Sequence, residues 1–158
     1  MSDWTHFDTE GRPVMVDVGG KNVTERTAAA ECFIQLPEKI YRAVAAGDLA
    51  KGDPISVAEL GGIMGAKKTS ELIPLCHNIK LNSVTVRCEL DSEKAQLRIF
   101  AHAKATDVTG VEMEALTAVS VAALVFYDMC KGLDKGMVIS GLRLLQKTGG
   151  KSGTWSAQ

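Results

Sequence analysis

The stretch that most constrains this chain runs unbroken from Gly110 to Lys131. It contains no proline. Glu112 and Glu114 fall in what would be the first turn of a helix, where the dipole favours acids, and Thr109 or Gly110 stands at the capping position. The pattern predicts one long helix. From Leu116 to Phe126 it is apolar or small on every face, so it belongs inside a domain or between subunits. It is too short and too rich in small residues for a membrane span, with charges close at both ends. Glu114 and Asp128 lie about four turns apart, near one line. Asp128 and Lys131, at i and i+3, can touch. An acid in the last turn opposes the dipole by about 0.3–1 kcal/mol. Either Asp128 simply pairs with Lys131 at a solvated end, or the helix delivers an acid–base pair to a pocket.

At 158 residues the chain is expected to form a single domain over 1–158, with about 1–13 and 147–158 flexible. An apolar share of 46% is enough for a core, which argues against disorder. A net charge of -1 argues against bulk nucleic-acid binding and against a membrane-surface role. The N-terminus shows no apolar signal segment. Cys32, Cys76, Cys88 and Cys130 are scattered and form no C-x-x-C pair, so neither a zinc site nor a disulfide framework is expected. A reduced cytoplasm fits this pattern best.

Met15–Val18 reads as a short β-type run ended by Gly19-Gly20. Arg26–Leu36 alternates, with Ala28, Ala30, Cys32, Ile34 and Leu36 on one face of a strand. Pro37 suits the first turn of a helix that Gly47-Asp48 ends. A turn at Lys51–Pro54 leads into a second helix, Ile55 to Ala66, and a short helical piece, Glu71 to Leu75. Leu81–Leu90 and Ala95–Ala105 alternate around Asp91-Ser92-Glu93-Lys94, a hairpin. The long helix follows, then a last strand, Val138–Leu145, and a glycine-rich tail. This order predicts an α+β domain of ferredoxin-like type, βαββαβ with an additional helix. Helices would cover one face of an antiparallel sheet, and a partner subunit is the simplest cover for the other.

Lysines gather near the predicted turns: Lys51, Lys67, Lys68, Lys131, Lys147 and Lys151. In a chain of nearly zero net charge this points to local capture of an anion, although most lysines are simply solvated. Gly150-Lys151-Ser152 is not a phosphate loop, because Leu145 stands where that pattern needs glycine and no helix follows. A Gly-Lys flap over phosphates stays open as a reading. His77, in a loop after Pro74-Leu75-Cys76, is a candidate acid, base or phosphate donor. His102 and His6 carry no such signal.

Four segments together resemble one family. They are Leu72–His77, Thr109–Thr117, Tyr127–Lys131 and Gly149–Gly153. The family is cyclic pyranopterin monophosphate synthase, accessory protein C of molybdenum cofactor biosynthesis. The likeness runs from Met15 to Gly153. Asn78 stands where the family usually has proline, and Asp107-Val108 stands where it usually has a lysine. The resemblance implies a ferredoxin-like fold and a hexamer, a trimer of dimers with sites at dimer interfaces. The implied substrate is 3',8-cyclo-7,8-dihydroguanosine 5'-triphosphate. It is rearranged to a pyranopterin bearing a cyclic phosphate, with release of pyrophosphate. By position, Asp128, Lys51 and Lys131 match the family's catalytic residues. Leu75, Cys76, His77, Met113 and Glu114 match its substrate-binding segments. Glu112, Arg26, Lys67, Lys68, Lys147 and Lys151 match further pocket positions.

The residue chemistry agrees with this implication. A triphosphate needs several converging cations. Opening and reclosing a purine ring needs proton transfers that Asp128 and Lys131 can share, with Lys131 a better base if neighbouring cations and burial lower its pKa. The sequence requires no cofactor and shows no dedicated metal site; Mg²⁺ is expected only with the triphosphate. A non-catalytic ferredoxin-like module binding a nucleotide or anion as a regulator is the alternative. An RNA-binding sheet would need exposed aromatics, and the two hairpin strands offer only Phe100.

Overall fold

The computed structural model describes residues 6–49 and 52–158. The chain builds β1 (Thr24–Gln35), α1 (Glu38–Ala46), α2 (Pro54–Lys67), α3 (Thr69–Leu72), β2 (Leu81–Asp91), β3 (Gln96–Asp107), α4 (Glu112–Cys130), β4 (Val138–Thr148) and β5 (Trp155–Ser156). All neighbouring strands are antiparallel, in the order β2-β3-β1-β4-β5. The first four strands and their helices have the expected ferredoxin-like arrangement.

Alternation decides which sheet face is inside. Ala28, Ala30, Cys32 and Ile34 of β1 are buried, as are Leu97, Ile99, Ala101, Ala103 and Ala105 of β3. Against them lies α4, burying Ala115, Ala118, Val119, Ala122, Ala123, Phe126 and Cys130. By length and composition α4 could cross a membrane, but here it is the central helix of the core. Small residues let α2 approach it closely. A Cβ at Gly62 would stand 2.8 Å from the Ala118 carbonyl oxygen, and one at Gly65 would stand 2.7 Å from Val121. Gly61 meets Val125, whereas Gly65 meets Val121, so the two helices run antiparallel. The C-terminus of α2 therefore lies beside the N-terminal half of α4.

Local chemistry sets the helix ends. Asp53 caps α2 by accepting a 2.9 Å hydrogen bond from the Ile55 amide, with Pro54 at the first position. Pro37 precedes α1 as its cap residue, and Gly47 ends α1 in the left-handed conformation (φ 67°). The short helix α3 begins and ends earlier than the expected Glu71–Leu75, because Ile73 precedes proline and is extended (φ -110°, ψ 107°). Helix α4 is capped at Val111 without a side-chain bond, not at Thr109 or Gly110.

Three further expectations meet a different structure. Met15–Val18 has no regular secondary structure and joins no strand. The tail expected to be mobile extends β4 to Thr148, and Trp155–Ser156 pairs with Gln146 and Lys147. Helix α4 is not covered all round: Leu124 is 61% exposed, near exposed Ile139 and Leu142 of β4. On α2, Leu60 (62% exposed) and Met64 continue an apolar surface on the helical side.

The other sheet face is polar and carries one deeply buried charge. Glu31 is 2% exposed and lies between Arg98 (2.8 Å) and Arg143 (2.7 Å). Burial opposes its ionisation, but the hydrogen bonds from Arg143 and Arg98 outweigh that and hold its pKa below the usual carboxylate value.

Candidate active site

Two clefts open at the N-terminal end of α4. Both are built on the β3–α4 connection, which ends a core strand and starts the core helix, so their shared wall is rigid. The first, about 580 Å³, is cationic: Lys21, Arg26, Lys147 and Lys151 line it with Glu112 and Ser152. The second, about 430 Å³, holds Leu75, Cys76, His77, Ile79, Met113 and Glu114, with Val16 and Val18 from the N-terminal segment. Lys21, Thr109, Gly110 and Glu112 belong to both and form the seam between them.

Each cation is positioned by the fold. Arg26 projects from β1 and is almost fully buried. Its Nε donates to the Asp107 carbonyl (3.3 Å) and its Nη2 to the Val108 carbonyl (3.1 Å), so it fastens the β3–α4 connection to the central strand. The glycine tail closes over it. Gly149 adopts φ 95°, and a Cβ there would stand 2.1 Å from the Glu25 carbonyl oxygen. Lys147, near the end of β4, lies 3.3 Å from Glu112 and donates to Ser152 Oγ at 2.6 Å. That contact draws Lys151 and Ser152 to the cationic cleft.

The second cleft has a different electrostatic character. Burial pushes the Glu114 carboxyl up to about 7, opposed by a backbone hydrogen bond and reinforced by the charges of Glu112 and Asp107. Near neutrality it can therefore donate or accept a proton. Burial, with Glu114 nearby, also raises the Cys76 thiol, which makes Cys76 a packed wall residue rather than a thiolate nucleophile. His77 Nε2 lies 2.8 Å from the Val16 carbonyl oxygen. A carbonyl only accepts, so that nitrogen carries the proton, and Nδ1 is left as the second polar atom of the ring.

The structure thus brings together Leu75, Cys76, His77, Met113, Glu114, Glu112, Arg26, Lys147 and Lys151. It does not bring Asp128 and Lys131 to them. These stand at the other end of α4, paired at 2.6 Å and exposed to solvent. The Lys131 pKa is raised, by its hydrogen bond to Asp128 and that residue's charge, because in one chain its strongest neighbour is an acid. Lys67 and Lys68 stand at the C-terminal end of α2, where Lys68 pairs with Glu71 at 2.7 Å, and neither lines either of these two clefts. Lys51 lies outside the described residues.

Sequence reasoning passed over Lys21, Ile79, Ser152 and His6, which also borders the second cleft. Lys21 follows Asp17-Val18-Gly19-Gly20, a turn signal that marked the place without marking its use.

Residues 15–150 match the MoaC family. A cyclic pyranopterin monophosphate synthase from Peptoclostridium acidaminophilum is 51% identical over 156 residues, covering 99% of this chain and 98% of that protein. One from Rhodospirillum rubrum is 54% identical over 153 residues, covering 97% and 92%. Another, from Corynebacterium glutamicum, is 52% identical over 158 residues and covers both chains entirely.

Proposed function

The chain belongs to the MoaC family, and from that membership we propose that it converts 3',8-cyclo-7,8-dihydroguanosine 5'-triphosphate to cyclic pyranopterin monophosphate with release of pyrophosphate. It is an enzyme of molybdenum cofactor biosynthesis, a lyase that forms a cyclic phosphate. The observation that carries this reading is the division of the site. A cationic cleft suited to a polyphosphate adjoins a cleft of apolar walls, His77 and a near-neutral carboxyl, suited to a heterocycle.

Arg26, Lys147 and Lys151 neutralise the triphosphate and the leaving pyrophosphate. Leu75, Cys76, Met113 and His77 hold the ring system, with Glu114 as a proton donor or acceptor to it. Mg²⁺ would enter on the phosphate oxygens, with few protein ligands. Asp128, Lys131 and Lys51 carry the proton transfers.

A second copy of the chain supplies Asp128 and Lys131 to this cleft, because a single copy holds them at the far end of α4. The uncovered Leu60, Met64, Leu124, Ile139 and Leu142 support association along the helical side. A hexamer built as a trimer of dimers fits such a shared site. A cytoplasmic setting is part of the proposal, supported by scattered cysteines that form no C-x-x-C pair.

The test is incubation with the cyclised nucleotide, reading pterin product and pyrophosphate together. Equimolar appearance of both supports the enzyme. Tight binding with no pyrophosphate would instead favour the regulatory anion-binding module.

A further inference from the structure

We propose that Lys21 is a further substrate-binding residue, placed against the α-phosphate by the N-terminal segment Val14–Lys21, which His77 pins across the cleft. The inference rests on the nucleotide reading above and deepens it.

Among the described residues, Lys21 is the only lysine in the wall common to both clefts. In a nucleoside triphosphate the α-phosphate is the group that joins the sugar and ring to the outer phosphates. With the ring in the second cleft and the outer phosphates in the cationic one, the α-phosphate must cross the seam. In the cationic cleft beside the seam, Lys147 is already engaged by Glu112 and Ser152, and Arg26 spends Nε and Nη2 on backbone carbonyls. Among the described residues Lys21 makes no ion pair, so its ammonium is available to an anion.

The segment is held in place although it joins no strand. The His77 ring donates to the Val16 carbonyl at 2.8 Å. The Asp17 carboxylate accepts from the Gly19 amide at 2.8 Å, and the Lys21 amide donates to the Val18 carbonyl at 3.0 Å. These bonds fold Val18–Lys21 into a turn that fixes the base of the Lys21 side chain. His77 is then a positioning residue for Lys21 as well as a wall of the ring cleft.

The position makes a distinction that binding can read. A lysine on the α-phosphate serves GMP and GTP alike, whereas a lysine on the outer phosphates serves GTP alone. Calorimetric titration of both ligands should show Lys21→Ala weakening each by about tenfold, the range of one charge-assisted hydrogen bond at an exposed site. Lys151→Ala should weaken GTP and leave GMP nearly unchanged. Lys21→Arg should restore most of the loss. In a His77→Ala background the further effect of Lys21→Ala should shrink, because the segment is no longer pinned. If Lys21→Ala weakens GTP but not GMP, or leaves both unchanged, the proposal is overturned while the nucleotide reading stands. If the unaltered protein binds neither ligand, nor the cyclised nucleotide, both are overturned.

Discussion

Glu114 and Asp128 occupy opposite ends of α4, about 21 Å apart at 1.5 Å per residue. Glu114 is buried beside the ring cleft, and Asp128 is exposed and paired with Lys131. A rigid helix cannot bring its own two ends together. If both residues serve one reaction, they do so from different copies of the chain, and the same helix that forms each core also spaces the two halves of the site.

Asp128→Asn should leave the fold and the assembly intact. Within one chain both partners of the pair are exposed, so its loss changes stability little, and relief of the unfavourable dipole interaction offsets part of that. Turnover should fall by ~10²–10⁴, the usual size of a general acid–base contribution, with much less change in binding. Single-turnover formation of the pterin beside equilibrium binding separates the two. A variant that turns over normally would remove Asp128 from the mechanism.

Glu114 gives a prediction in pH. Its folded pKa, about 7, lies above the ordinary value of 4.5. Between these values the folded chain binds more protons than the unfolded one, so stability falls as pH rises through the window. Glu114→Gln has no proton to lose and should remove that slope. The variant's melting temperature should match the wild type near pH 4.5 and exceed it at pH 8. Parallel curves across the whole range would mean that Glu114 is ionised in the fold.

Glu31 carries the opposite sign. Its pKa is lowered by its two arginines despite burial, so its contribution is present above the unfolded value of 4.5 and lost as pH falls through the folded one. Glu31→Gln leaves Arg98 and Arg143 without their common partner. The expected cost at pH 7 is about 2 kcal/mol, below the usual range for a fully buried pair because both arginines are partly exposed. Chemical denaturation should show the difference closing under acid conditions, and an equal difference at pH 3 and pH 7 would contradict the account.

Much of this fold was legible because periodicity and burial coincide. The alternation in β1, β2 and β3 pointed to a buried face, and the apolar run of α4 placed that helix in the core without showing that Leu124 would stay open. The cationic cleft was legible in part, since Lys147 leads into the glycine-rich turn that carries Lys151. The Val14–Lys21 segment was not, because a stretch that joins no strand has no period, and the hydrogen bond that ties it to the cleft comes from distant His77. The pairing of Trp155–Ser156 was hidden for a similar reason: two residues hold no pattern, and the neighbouring strand decides their conformation. The Asp128–Lys131 contact was legible from its i, i+3 spacing, and within one chain it is the solvated pair that was one of the two readings; local spacing shows what touches and not what a second copy brings.

The proposed site is built from two copies. Asp128→Asn and a Lys147→Ala/Lys151→Ala double variant should each be inactive alone, one lacking the far end of α4 and the other the cationic cleft. Dissociated, mixed in equal amounts and reassembled, they should recover about a quarter of wild-type pterin formation, because half of the dimers are mixed and each mixed dimer holds one unaltered site. Activity no greater than that of the separate variants, with mixed assemblies verified by mass, would contradict the shared site.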